Sequence, residues 1–145
     1  MAVDINASLP RDGFQGLRLD DDHLPHVTLT QQFVSKSRMD DVFRGVDAVA
    51  ASHGSLPLRV LGPGRSGGTG VWMSIERTER LAELHRTLMS PLRPFELEGG
   101  TSAAFAEPNA RPGDVAWVST FRKKASFGAY TPHLTLGHSK ALPDV

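Results

Sequence analysis

The apolar positions change period along the chain, and each change marks an element. Val3, Ile5, Ala7 and Leu9 alternate with Ala2, Asp4, Asn6 and Ser8, the period-2 pattern of a half-buried strand, which Pro10 ends. Residues 11–24 carry Gly13, Gly16 and the run Asp20, Asp21, Asp22 without a sustained period, predicting mostly loop with a short strand at 17–19. Pro25-His26-Val27-Thr28-Leu29-Thr30 is β-branched and alternating, and predicts a strand. From Ser37 the period turns helical, with Met39, Val42, Phe43, Val46 and Val49 on one face. Ser37 is placed to cap that helix, Asp40 and Asp41 suit its positive end, and Gly54 can terminate it.

Leu56, Leu58 and Val60 alternate as the next strand, the glycine-rich stretch 62–70 reads as a hairpin connection, and Val71, Met73 and Ile75 form the returning strand. Thr78 can cap a second helix, whose stripe is Leu81, Leu84, Leu88 and Met89 and which Pro91 stops. The Ala/Gly/Pro stretch 99–113 predicts no element. Asp114 to Phe121 (DVAWVSTF) is apolar on both faces and predicts an interior strand, and 131–137 predicts the last strand before a frayed tail. This order of strands and helices is α+β, and its two halves look alike.

A chain of 145 residues supports one domain with one real core, so a single domain over 1–145 with one site is expected. Lys plus Arg and Asp plus Glu are both 16, so no global positive field exists to hold long nucleic acid through counterion release. A nucleic-acid partner would be a short piece or an end. The absence of cysteine removes disulfides, thiolate nucleophiles and thiolate metal sites together. Asp4 stands where a signal peptide would be basic, and no stretch approaches the roughly 20 apolar residues of a membrane span. The expectation is a cytoplasmic monomer with no membrane partner.

Two segments stand apart from this background. Pro25-His26-Val27-Thr28-Leu29 and Pro132-His133-Leu134-Thr135-Leu136 match at four of five positions, and the fifth is aliphatic in both. His-x-Thr-Leu should arise by chance roughly 0.04 times in a chain of this composition, and here it occurs twice, each time after proline. In a strand, residues two apart share a face, so His26 with Thr28 and His133 with Thr135 each present an imidazole beside a hydroxyl. Val27, Leu29, Leu134 and Leu136 point the other way, into the core. Two imidazoles and two hydroxyls suit displacement at a phosphodiester. One histidine takes a proton from the attacking oxygen, the other gives one to the leaving oxygen, and the hydroxyls hydrogen-bond the non-bridging oxygens. Such chemistry requires no metal or other cofactor.

The paired segments resemble the H-x-(S/T)-x motifs of the two-histidine (2H) phosphoesterase superfamily, which includes 2′-5′ RNA ligase-like proteins and cyclic nucleotide phosphodiesterases. The resemblance implies two pseudo-symmetric α+β lobes, with antiparallel sheets flanking a central cleft, helices outside and one motif per lobe. It also implies catalytic roles for His26 and His133, and phosphate binding by Thr28 and Thr135. Family members often carry a helix between the first strand and the first motif, where this chain has Gly13, Gly16 and three aspartates.

Other residues admit both a functional and a bland reading. Arg122, Lys123 and Lys124 precede the second motif closely enough to attract a phosphate, or form a solvated basic turn. Trp72, Phe127 and Tyr130 are candidates for stacking a base, Tyr130 foremost, and core packing is the competing fate. Asp20, Asp21, Asp22, His23 and His26 could be imagined holding a hard metal, but an acidic run in a loop is usually solvated. The stretch 62–70 matches no phosphate-cradling loop. The leading expectation is a phosphodiesterase opening a 2′,3′-cyclic phosphate, or a related cyclic or 2′-5′ linkage, on a small nucleotide or RNA terminus. The alternatives are ligation, the same chemistry reversed, and a non-catalytic module that binds terminal phosphates.

Overall fold

The structure, a computed structural model, describes residues 1–10, 17–65, 68–106 and 110–143. Gly13 and Gly16 of the expected loop, Gly67 of the hairpin connection, residues 107–109 and the end of the tail lie outside the described residues. The chain is α+β and divides into two compact units, each assembled from separated segments.

The first unit comprises Met1–Thr28, Pro57–Arg77 and Thr131–Val145. It contains the helix α1 (Ala2–Ser8) and a three-stranded antiparallel sheet in the order β1 (Val60–Arg65), β2 (Gly70–Ile75), β3 (His133–His138). Alternation on β2 sends Val71, Met73 and Ile75 to the buried face and leaves Trp72 and Ser74 on the other. Val71 and Met73 pack with Leu136, Leu9 and Leu19. Each such side chain, fully buried, contributes about 1.5–3 kcal/mol of apolar transfer.

The N-terminal segment is helical where alternation predicts a strand. Ile5 and Leu9 belong to the alternating set, but with Ala2 they are also spaced to share a helix face, and these three pack on the sheet's core. Asn6 decides between the two periods. Only 2% exposed, it donates to the carbonyls of Leu17 and Leu136 and accepts from the Leu19 N–H, a role that needs it turned inward beside Ile5. Those bonds also account for residues 17–19, which form no strand and are pinned as an irregular segment. Gly137 makes room for this arrangement: its φ is +131°, and a Cβ there would stand 3.2 Å from Asn6 Nδ2 and 3.3 Å from the Leu17 oxygen.

The second unit comprises Leu29–Leu56 and Thr78–Tyr130. Here α2 (Met39–Ser52) follows a 3₁₀ turn at Lys36–Arg38, and α3 (Glu79–Leu92) is capped by Thr78, whose Oγ1 accepts from the Leu81 N–H at 3.2 Å. Val49, Leu88 and Leu92 form their shared core. Pro91 falls in the last turn of α3 and does not stop it before Leu92.

The segment expected as an interior strand is instead the helix α4 (Pro112–Lys124). Its termini carry the reason. Pro112 sits in the first turn, where its missing N–H costs nothing, and the Asp114 carboxylate accepts from the Arg111 N–H at 3.0 Å. Arg122, Lys123 and Lys124 complement the negative end of the helix. Among the described residues no helix is long and apolar enough to cross a membrane.

Candidate functional site

His26 and Thr28, with His133 and Thr135, lie in the first unit, with Pro25–Thr28 running beside β3 through an antiparallel bridge between Val27 and Leu134. The first motif forms no strand beyond this isolated bridge, which sets it beside β3, an edge strand of the sheet.

That bridge, continued one residue each way, sets His26 across from Thr135 and Thr28 across from His133. Directly opposed side chains on a sheet are about 4.5–5.5 Å apart at Cβ, and diagonal ones about 7–8 Å. In that register each histidine position lies across from a threonine position, and the two histidine positions are diagonal to one another. Val27 and Leu134 occupy the opposite parity, and Leu134 packs on the core.

The two rings are held in the same way. His26 Nδ1 lies 2.9 Å from the Leu24 carbonyl oxygen, and His133 Nδ1 lies 2.9 Å from the Thr131 carbonyl oxygen. A carbonyl only accepts, so each Nδ1 carries the proton and each Nε2 is left to exchange one with a ligand. The acceptor in both cases belongs to the residue two positions earlier, with the proline between. Proline's fixed φ, and the extended conformation it favours in the residue before it, hold that carbonyl in place. The repeated proline is therefore part of the site's geometry as well as a strand start.

On the sheet, β2 continues the polar face. Trp72 pairs with Thr135 and Ser74 with His133. The Trp72 ring centroid is 5.6 Å from that of His133 at an interplanar angle of 51°, and its Nε1 donates to Ser74 Oγ at 3.3 Å. The indole lies across Gly64 on β1, where a Cβ would come within 2.3 Å of Nε1. Ser74, Gly64 and the carbonyls of Leu24 and Thr131 are site components that the motifs alone do not reveal. Trp72 and Ser74 alternate with Val71, Met73 and Ile75, a signal that was present in the sequence.

Beside His26 and Thr135 opens a cavity of about 340 Å³, lined also by Leu17, Leu19, Asp22, His23 and Leu24. His133 is not part of its wall. The acidic run forms a tight turn: the Asp20 carboxylate accepts from the N–H groups of Asp22 and His23 and from His23 Nδ1. The His23 imidazole holds the Asp20 carboxyl below its ordinary value of 3.8. Among the described residues no three His, Cys, Asp or Glu side chains come together to hold a metal ion.

The remaining expected residues lie in the second unit. Tyr130, the foremost candidate for stacking a base, is only 3% exposed, and its ring lies flat on His85 at a centroid distance of 4.2 Å. That face is occupied by packing. Arg122 pairs with Glu96, donates to the Met89 carbonyl and lies over the Phe127 ring, so its guanidinium is engaged in holding α4. Lys123 is exposed.

Two imidazoles sharing a tautomer, each beside a threonine hydroxyl, are a donor and acceptor set for acid–base chemistry on a phosphate ester. The family model described as the 2'-5' RNA ligase superfamily matches residues 11–145, and the chain belongs to that superfamily, which is the 2H phosphoesterase superfamily of phosphoesterase and ligase enzymes. No curated protein and no solved structure matches the chain.

Proposed function

We propose that the chain is a metal-independent phosphodiesterase that opens a 2′,3′-cyclic phosphate, or a related cyclic or 2′-5′ phosphodiester, on a nucleotide or an RNA end. The observation that carries this reading is the shared tautomer of His26 and His133, diagonal to one another and each adjoining a threonine.

The neutral imidazole accepts a proton at Nε2 from the attacking water as its oxygen bonds to phosphorus. The P–O bond to the ribose 2′ or 3′ oxygen breaks, and the protonated imidazole delivers its Nε2 proton to that oxygen. One proton enters and one leaves, so the enzyme ends with the two histidines' roles exchanged and is reset through solvent. Thr28 and Thr135 donate to the non-bridging oxygens, where charge grows in the transition state. Trp72 offers an aromatic surface on the β2 side. Incubating the purified chain with a 2′,3′-cyclic mononucleotide in the presence of a chelator tests the proposal. Hydrolysis to a single 2′ or 3′ monophosphate supports it, and loss of turnover on chelation contradicts it.

A further inference from the structure

The cavity beside His26 has a polar wall and an apolar one. His26 and Thr135 form the first, and Leu17, Leu19 and Leu24 supply most of the second. Its volume of about 340 Å³ falls at the small end of the roughly 300–1,000 Å³ usual for small-molecule sites, so it suits one nucleoside-sized group and not two. Among the described residues no Lys or Arg lines it, Arg18 included, although that residue lies between two that do. The remaining wall is Asp22 with His23, and Asp20 and Asp21 precede them in the same tight turn.

This distribution of charge is the reverse of what a polyphosphorylated ligand needs. The reacting phosphodiester carries one negative charge, which the imidazoles and hydroxyls receive. A second phosphate attached to the sugar would be carried into the cavity and meet the Asp22 carboxylate, with no lysine or arginine among the described lining residues to offset it. An uncharged base and sugar would instead bury apolar surface against the three leucines, and Asp22 could accept hydrogen bonds from a sugar hydroxyl or an exocyclic amine.

Resting on the phosphodiesterase reading, we propose that this cavity receives the uncharged base-and-sugar part of the substrate, and that Asp22 is a specificity residue rejecting substrates with a second phosphate on that part. The preferred substrate is a nucleoside carrying only the reacting phosphodiester. Nucleotides phosphorylated at the 5′ position, and internal positions of RNA, are poor substrates.

The test compares kcat/KM for adenosine 2′,3′-cyclic phosphate with that for the same nucleotide bearing a 5′-phosphate, in the wild-type chain and in Asp22→Asn. The wild type should favour the unphosphorylated nucleotide by about tenfold or more, chiefly through KM, with the preference shrinking as ionic strength rises. Asp22→Asn should cut that preference to a few-fold, chiefly by lowering KM for the 5′-phosphorylated substrate. Equal kcat/KM for both substrates in the wild type, or an undiminished preference in Asp22→Asn, would overturn this inference alone. Turnover of neither nucleotide by the folded wild type would overturn the phosphodiesterase reading and this inference with it.

Discussion

His26 and His133 are oriented by the same bond: each Nδ1 lies 2.9 Å from the carbonyl oxygen two residues earlier, across a proline. With both rings in one tautomer, both Nε2 atoms are available, one to accept a proton and one to donate it. The pH dependence of kcat/KM should therefore be bell-shaped. Replacing either histidine should remove one limb of the bell from whatever activity remains. A rate that rises monotonically with pH in the wild type would count against paired acid and base.

The threonines should act on binding and on the transition state, without holding the fold. Thr135 is exposed and Thr28 half-buried, so Thr→Val at either position keeps the shape and removes only the hydroxyl. A hydrogen bond to a charged group contributes about 1.5–3 kcal/mol, which is roughly ten- to hundredfold in kcat/KM. Thermal denaturation of the two variants should remain close to the wild type.

Gly64 should tolerate no side chain while Trp72 keeps its place. A Cβ at position 64 would stand 2.3 Å from Trp72 Nε1, so Gly64→Ala must push the indole away from Ser74 and from its contact with His133. Tryptophan fluorescence should change, and stability should fall by about 1–3 kcal/mol through overpacking. An unchanged spectrum would mean that the indole does not lie across the glycine.

His85 has a different task from the two motif histidines. It is 1% exposed, its Nδ1 donates to the Leu29 carbonyl at 2.6 Å, and its Nε2 accepts from the Phe127 N–H at 2.9 Å. His85→Leu fills similar space but orphans both backbone groups, which should cost about 1–3 kcal/mol for each group left buried and unsatisfied. Urea denaturation measures this directly. His85→Gln, able to donate and accept, should recover part of the loss.

The candidate site was largely legible because its defining residues are local: a five-residue pattern repeated, with strand parity dictating which side chains share a face. What the pattern could not give was the partner of each strand. The Val27–Leu134 bridge that sets the two motifs side by side is a contact across more than 100 positions, and no local signal specifies it. The same limit explains the misread elements. Ile5 and Leu9 satisfy both a strand and a helix period, and Asn6, bonded to Leu17, Leu19 and Leu136, selects the helix. In residues 114–121 the apolar run hid a helix whose evidence lay at its ends, Pro112 and Asp114 before it and three basic residues closing it. Tyr130 was attractive for its nearness to His133 in sequence, yet His85, 45 positions away, determines where its ring packs.

The central claim is that His26 and His133 form one acid–base pair. Its most direct test is kcat for wild type, His26→Ala and His133→Ala on a 2′,3′-cyclic mononucleotide with chelator present, with circular dichroism confirming that each variant is folded. Each substitution should lower kcat by about 10²- to 10⁴-fold with the fold intact. Full activity in either folded variant would contradict the account.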